Sequence, residues 1–244
     1  MRNSCRTRNK GQRMRGMFCT ATLIAIALLP TSLAHADELQ SQLLAAAKAT
    51  RADAYSFRRT LAFERTGAAR KVVVEQYDPR RPAADQWTLV SVGGRQPTSK
   101  EMAQARKNKR GPVPSYAQLS EWIAAPATRS DPAPGLVLYR YARLPAGTLK
   151  LGSHDASADT RAEALVNTHG TTPYVERVRF TSTKGFRMML VASLQSMVVE
   201  SRYRQLSDGA AVPASVTSDI QGSMMGKAGQ LKSEMTYSDV QRVR

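Results

Sequence analysis

The stretch from Thr172 to Leu206 constrains the fold most, because its apolar residues alternate with polar ones through three successive segments. In the first segment Val178 and Phe180 share one side and Arg177 lies on the other. A period of two is the pattern of a half-buried β-strand. This stretch therefore predicts an antiparallel meander whose one apolar face must be covered by other parts of the chain.

The second and third segments of this stretch continue the alternation, but the apolar residues change from even-numbered to odd-numbered positions between them. The second segment aligns one set of apolar side chains: Phe186, Met188, Leu190, Ala192 and Leu194. The third aligns another: Met197, Val199 and Tyr203. A turn or β-bulge near Ser193–Ser196 would absorb the change from even to odd positions. A short helix through Val191–Val199 is the alternative.

Residues 1–36 have the three parts of a secretory signal peptide. Six basic residues and no acidic ones precede an apolar run from Thr20 to Leu29, and Ala34-His35-Ala36 follows as a small-residue cleavage site. The apolar run is far shorter than the roughly 20 residues of a membrane-spanning helix. We expect cleavage after Ala36 and a periplasmic product, with Met14 or Met17 as alternative start sites.

Removal of residues 1–36 changes the composition of the remaining 208 residues. Both cysteines, Cys5 and Cys19, are lost, so the mature chain has no disulfide to stabilise it. Loss of six basic residues lowers the net charge from +17 to +11. A length of 208 residues suits one domain, 37–244, with a substantial core.

The first part of the mature chain predicts a helix followed by a hairpin and a third strand. Apolar residues recur at helical spacing over Asp37–Ala52, and alternation then begins at Tyr55–Phe63. Strands over Arg70–Tyr77 and Trp87–Val92 follow. Residues 97–127 differ, because two capping-box patterns there predict short helices at about 99–109 and 116–124: Thr98 with Glu101, and Ser115 with Gln118.

The rest of the chain consists of short strands at hairpin spacing. We expect a linker at Ala125–Pro134, strands at Leu136–Leu144 and Glu163–Asn167, and two final strands joined by a loose connection at Gly222–Gly229. Parallel βαβ units and a phosphate loop are absent from the pattern. The fold class is therefore α+β, an antiparallel sheet with a few helices.

The mature chain offers little catalytic chemistry. Ser153-His154-Asp155 cannot form a triad, because nucleophile, base and orienting carboxylate must converge from separate elements. A metal site at His154, Asp155 and Asp159 has suitable ligand types without supporting spacing. Glu176 and Glu200 lie on strands, where pairing with an arginine on the neighbouring strand is the simplest role. We expect no catalytic residue, no metal and no cofactor.

The order of elements resembles that of the LolA/LolB-like periplasmic lipoprotein carriers. The resemblance rests on that order and on the pattern of four strands: Tyr55–Phe63, Val72–Tyr77, Tyr174–Phe180 and Met197–Tyr203. The stretch from Tyr77 to Thr98 is similar to one in exported proteobacterial proteins of no assigned function. The resemblance implies a strongly curved antiparallel sheet, an incomplete barrel with covering helices, whose concavity holds acyl chains.

If the resemblance holds, ten residues become candidates for the lining of a ligand site: Tyr55, Phe57, Leu61, Phe63, Val178, Phe180, Met188, Leu190, Met197 and Val199. The later strands also supply methionines, whose flexible side chains suit lipid chains of varied shape. The basic insertion at 97–127 is a departure from the family, and the gating arginine of the family matches no single residue here.

These observations predict a non-enzymatic periplasmic protein that binds a lipid, a lipoprotein acyl chain or another amphiphile. The alternative is a protein-interaction or sensor module in envelope-stress signalling, with an envelope protein as partner. The basic charge is compatible with peripheral contact with an anionic membrane, through the Arg106–Arg110 cluster. The alternative is that this cluster is a solvated helix end and that the arginines at 177, 179, 202 and 204 lie on solvated strand faces. Export argues against nucleic acid as a partner.

Overall fold

A computed structural model describes residues 37–107, 115–151, 154–189 and 192–243; the predicted signal peptide lies outside them. The helices are α1 (Glu38–Ala49), α2 (Ser99–Lys107) and α3 (Leu119–Trp122). The strands are β1 (Tyr55–Arg65), β2 (Lys71–Tyr77), β3 (Trp87–Val92), β4 (Thr128–Ala133), β5 (Leu136–Tyr141), β6 (Lys150–Leu151), β7 (His154–Asp155), β8 (Thr160–Asn167), β9 (Tyr174–Ser182), β10 (Phe186–Met189), β11 (Ala192–Gln205), β12 (Ala211–Met224) and β13 (Lys227–Arg242).

The strands form an open, curved antiparallel sheet with helices on one side, as the alternation predicts. Its order is β3-β2-β1-β13-β12-β11-β9-β8-β5-β4, with β10 paired to β11, while β6 and β7 form a separate pair. The first and last long strands, β1 and β13, pair along most of their length. The residues between β3 and β4 therefore connect the two edge strands of the sheet.

The side of the sheet that α1 and α3 cover is called the inner face here. One row of cross-strand partners on this face runs from Val73 through Leu61, Met235, Val216 and Ser201 to Val178. Since side chains of a strand alternate between faces, this row fixes the inward positions of six strands.

Helix α1 begins where the sequence predicts. The buried side-chain amide of Gln40 attaches it to the helical insertion at 97–127. Asp37 caps it by accepting a hydrogen bond from the Gln40 backbone N–H at 2.8 Å. The buried Gln40 side chain donates to the backbone carbonyls of Ile123 and Ala125, at 2.7 and 2.9 Å. In the described part of the chain, no helix is both long and apolar enough to span a bilayer.

The two predicted capping boxes have different outcomes. Thr98 and Glu101 form theirs, because each accepts a hydrogen bond from the other's backbone N–H, at 2.8 and 3.3 Å. At Ser115 the predicted capping box is wrong, because the Ser115 side chain makes no capping bond. The short helix predicted there is present as a 3-10 turn over Tyr116–Gln118 followed by α3.

The change of parity after the second meander segment is a β-bulge. The register between β11 and β12 shifts between Leu194 and Ser196, within one continuous strand, so the predicted bulge is confirmed and the helical alternative is wrong. The second segment does not form a single strand from Phe186 to Leu194. Strand β10 ends at Met189 and β11 begins at Ala192.

Two predicted connections are strands instead. The expected linker at Ala125–Pro134 contains the edge strand β4, where Pro132 is tolerated because the pairing with β5 shifts between Ser130 and Ala133. The expected loose connection at Gly222–Gly229 is the end of a long hairpin. Only Met225 and Gly226, both with positive φ, form its turn.

Candidate functional site

The helices close one part of the inner face into a packed core. Leu43 of α1 and Leu119 of α3 pack there with Val178 and Phe180 of β9, which are 1% and 4% exposed. The ring of Trp122 contacts that of Phe180 edge-on, with centroids 4.8 Å apart. At this end of the sheet α1 and α3 therefore cover the apolar side chains of β9.

An aromatic cluster fills the middle of the inner face on β1, β2, β3 and β13. Phe57 is its centre, with ring centroids 5.1 Å from Tyr77, 5.7 Å from Trp87 and 5.4 Å from Tyr237. The cavity between Tyr55, Phe57 and Tyr237 has a volume of about 20 Å³, room for about one water molecule. This cluster separates the helix-covered core from the remaining inner face.

A partly buried ion pair lies beside the aromatic cluster. Arg59 and Glu75 are cross-strand partners, and the guanidinium donates two hydrogen bonds to one carboxylate oxygen. The Arg59 guanidinium also lies 4.1 Å from the centroid of the Trp87 ring, in a cation–π arrangement. Burial raises the pKa of Tyr237 to about 12, with the nearby Arg59 charge opposing it. The pair is the charged centre of an otherwise apolar stretch of the inner face.

Beyond the aromatic cluster, the inner face of β1, β2 and β13 is only half-buried. Leu61, Val73 and Met235 continue it toward the far end of the β1–β2 hairpin. There a cleft of about 420 Å³ opens, within the size range of small-ligand sites. We call it the rim cleft; its lining residues are Phe63, Arg65, Ala68, Ala69, Lys71 and Leu231.

The rim cleft combines an apolar wall with two cations. Phe63 pairs with Lys71 across β1 and β2, and Arg65 pairs with Leu231 across β1 and β13, so all four lie in inner-face register. Leu231 is 39% exposed, unusually much for a large apolar residue. Arg65 and Lys71 are exposed as well. Such a cleft can hold an apolar chain whose anionic end lies against the two cations.

Of the ten residues predicted to line a ligand site, the eight whose side chains the structure describes lie in three different parts of the inner face. Val178, Phe180 and Met197 are buried, and Val199 packs against the helix-covered core. Tyr55 and Phe57 line the cavity at the aromatic cluster. Only Leu61 and Phe63 belong to the open stretch. The side chain of Met188 and the whole of Leu190 lie outside the described part of the chain.

Of the six residues that line the rim cleft, only Phe63 was predicted from the sequence. Ala68 and Ala69 belong to the turn between β1 and β2, and three others lie on strands: Arg65, Lys71 and Leu231. Each of these three residues lies at an inward-facing position of its strand, and the alternation of side chains along the strand could have identified it. The two cations were overlooked because basic residues at strand ends are the ordinary composition of an exposed hairpin.

The residues considered for catalysis are held in other contacts. Glu200 forms ion pairs with arginines, and Glu176 accepts a hydrogen bond from Asn167 at 3.0 Å. A register shift in β9 places Val175 in the core, so Glu176 does not share the apolar environment of Val178. His154 stacks on Phe186, with Nε2 3.4 Å from Asp159 Oδ2. Among the described residues, no group of three or more His, Cys, Asp or Glu side chains could hold a metal ion.

Comparisons with known proteins add one structural likeness. No family model matches the sequence, and no curated protein matches it significantly. Among solved structures, the chain is similar to the crystal structure of a LolA superfamily protein from Nitrosomonas europaea, with 15% sequence identity and a TM-score of 0.36. The match covers 84% of this chain and 93% of the other.

Proposed function

We propose that this protein binds an anionic amphiphile at the rim cleft without transforming it chemically. The apolar chain lies on Phe63 and Leu231 and extends along Leu61 toward the aromatic cluster. The anionic head group lies between Arg65 and Lys71. Along β1, the distance from Phe63 to the Arg59–Glu75 ion pair is roughly 13 Å, because four residues of strand rise about 3.3 Å each.

The observation that carries this proposal is the exposure of an apolar surface beside two cations on the inner face. At the covered end of that face Val178 and Phe180 are almost completely buried, 1% and 4% exposed. The rim end leaves Leu231 and Phe63 accessible around a cleft of about 420 Å³. Contiguous exposed apolar surface of this kind is typical of a binding site.

Binding of a dansyl-labelled fatty acid, followed by fluorescence and displaced by oleate, tests the proposal. We expect saturable binding to the mature protein. Leu231→Glu brings a carboxylate against the apolar chain and should weaken binding at least tenfold. Met102→Glu is the matched control, since Met102 is also exposed, at 44%, on α2. It should bind like the wild type.

The head-group part of the proposal has its own variant. Arg65→Gln/Lys71→Gln should weaken binding of the fatty acid but leave binding of the corresponding uncharged fatty alcohol nearly unchanged. Equal weakening for acid and alcohol would contradict the role given to the two cations. Absence of saturable binding, together with ligand-free protein in native mass spectra of periplasmic preparations, would refute amphiphile binding itself.

The proposal includes export to the periplasm, with cleavage after Ala36. The basis is the sequence of residues 1–36, which has the three parts of a signal peptide. N-terminal sequencing of the protein from a periplasmic extract should begin at Asp37. An intact N-terminus in the cytoplasmic fraction would contradict it.

A second candidate function is the docking of an envelope protein, including a partner in stress signalling. It is favoured by the turn between β12 and β13, where Met224 and Met225 are 60% and 77% exposed. Met225 also has a positive φ of 52°, a conformation that glycine or asparagine adopts more readily. Recovery of a stoichiometric protein partner without bound lipid, lost in Met224→Ser/Met225→Asn, would favour this function.

A further inference from the structure

The outer face of the sheet, opposite the helices, carries a dense group of arginines on four neighbouring strands. We call this group, on β5, β8, β9 and β11, the arginine face. Its arginines are Arg140, Arg161, Arg177, Arg179, Arg202 and Arg204, and the acidic residues among them are Glu163, Glu176 and Glu200. Six positive charges against three negative ones leave this surface basic.

The register of the strands shows how these charges are arranged. One row across the sheet alternates in sign, from Arg140 through Glu163 and Arg179 to Glu200. The next row does not alternate, because Arg177 of β9 lies directly opposite Arg202 of β11. Like charges directly opposite each other destabilise a sheet. The juxtaposition of Arg177 and Arg202 therefore requires a compensating negative charge nearby.

Glu200 compensates the opposed arginines only in part. Arg202 contacts one of its carboxylate oxygens at 2.7 Å, while Arg177 and Arg179 each lie 3.9 Å from the other. Three guanidinium groups thus share one carboxylate, whose side chain is only 15% exposed. The side chains of Arg177, Arg179 and Arg202 are 31%, 46% and 53% exposed, and each guanidinium has five N–H donors, more than one shared carboxylate can accept from.

Exposed guanidinium groups in this arrangement suit phosphate. Arginine binds phosphate oxygens through two parallel hydrogen bonds, and several arginines on one face can engage several phosphates together. Lysine is absent from the arginine face, although the chain contains lysines elsewhere. Solubility alone would not require arginine in place of lysine on this surface.

We propose that the arginine face binds the phosphate groups of an anionic membrane surface. The surface lies on the opposite side of the sheet from the rim cleft, so the proposal does not depend on amphiphile binding. It also differs from the contact expected at Arg106–Arg110, where Arg106 lies 4.0 Å from Asp85 and residues 108–110 are outside the described part of the chain. The contact is electrostatic and requires no insertion of the protein into the bilayer.

Flotation with lipid vesicles tests the proposal on the full mature chain. Vesicles of equal parts phosphatidylglycerol and phosphatidylcholine should carry the protein, and vesicles of phosphatidylcholine alone should not. Binding should fall steeply as salt concentration rises, since exposed charges are screened. Each arginine near an anionic bilayer contributes about fivefold in affinity, so Arg179→Gln/Arg202→Gln should lose about 25-fold.

Two further variants keep the test independent of folding. Arg161→Gln/Arg204→Gln leaves the Glu200 ion pairs intact and should also lose about 25-fold. Lys48→Gln/Lys100→Gln removes the same charge from exposed positions on α1 and α2 and should lose much less. The proposal is overturned if the lysine variant loses as much as the arginine variants, if uncharged vesicles bind equally, or if soluble glycerol phosphate binds the protein while vesicles do not.

Discussion

At the scale of single residues, Arg59 and Glu75 show how a charge is accommodated on an apolar sheet face. Their side chains are 14% and 9% exposed, so each has lost most of its hydration. Direct hydrogen bonds between them and the Trp87 ring against the guanidinium replace part of that hydration. Removing Glu75 takes away the carboxylate that the mostly buried Arg59 guanidinium contacts.

We therefore predict that Glu75→Ala lowers the free energy of unfolding by about 3–5 kcal/mol, because Arg59 stays charged in a dry environment. Urea unfolding followed by circular dichroism measures this. Glu234→Ala is the matched control, since Glu234 pairs with Arg70 at 3.6 Å with both side chains more than half exposed. It should cost less than about 1 kcal/mol. Equal losses would show that the inner-face pair has no special environment.

Asp37 provides a prediction on pH. Burial favours a higher pKa for its carboxyl group, but hydrogen bonds from Tyr139, Gln40 and Arg129 outweigh burial and lower the pKa below 3.8. A carboxyl group with a lowered pKa in the folded state stabilises the fold fully above its unfolded pKa. That contribution disappears as pH falls through the folded pKa.

The stability difference between the wild type and Asp37→Asn should thus be constant above about pH 5 and shrink below about pH 4. Unfolding by urea at a series of pH values measures it. A difference that stays constant through the acid range would contradict the lowered pKa.

At the scale of elements, several strands could be predicted from the sequence. Strands β1 and β9 were expected within a few residues of their observed bounds from the alternation of apolar and polar residues, and β2 and β3 from short apolar runs between turn residues. Strand β4 was missed, since an edge strand with one neighbour needs no apolar alternation, and Asp131-Pro132 resembles a turn. The ends of β12 and β13 were missed because their glycines resemble a loop.

The glycines at the end of that hairpin offer a direct test of the bulge in β11. A Cβ atom at Gly222 would lie 2.2 Å from the backbone oxygen of Ser193, beside the register shift. Gly229, its cross-strand partner, has nothing within 4 Å of the corresponding position. Gly222→Ala should therefore destabilise the protein by about 1–3 kcal/mol through overpacking.

Gly229→Ala is the matched control. With space available, it should be neutral or stabilise the protein by up to about 1 kcal/mol, because alanine restricts the unfolded chain. Thermal unfolding of the two variants decides between these outcomes. Similar effects at both glycines would contradict the close approach of β11 and β12 at the bulge.

At the scale of the whole molecule, the alternation of residues along each strand indicated which side chains face inward. It did not indicate which of these side chains the helices cover. Val178 and Leu61 are equivalent by alternation, yet one is buried under α1 and α3 and the other belongs to the open stretch. The difference arises from where segments distant in sequence dock, as the bonds from Gln40 to Ile123 and Ala125 illustrate. Local periodicity contains no information about such docking.

The two faces of the sheet therefore have separate proposed roles. The inner face provides an apolar path that ends at the rim cleft, and the outer face provides arginines for a phosphate surface. Variants on one face should leave the other function intact, because the sheet separates them. The proposed binding at the rim cleft is the central claim, since it defines what the inner face is for.

Photo-crosslinking with a diazirine-bearing fatty acid, mapped by mass spectrometry of the digested protein, tests that claim most directly. We predict crosslinks in the β1–β2 hairpin, at Phe63 to Lys71, and around Leu231 of β13, all lost when excess oleate competes. Crosslinks that survive competition, or that lie instead at the α2–β3 cleft near Met102 and Leu89, would contradict the account.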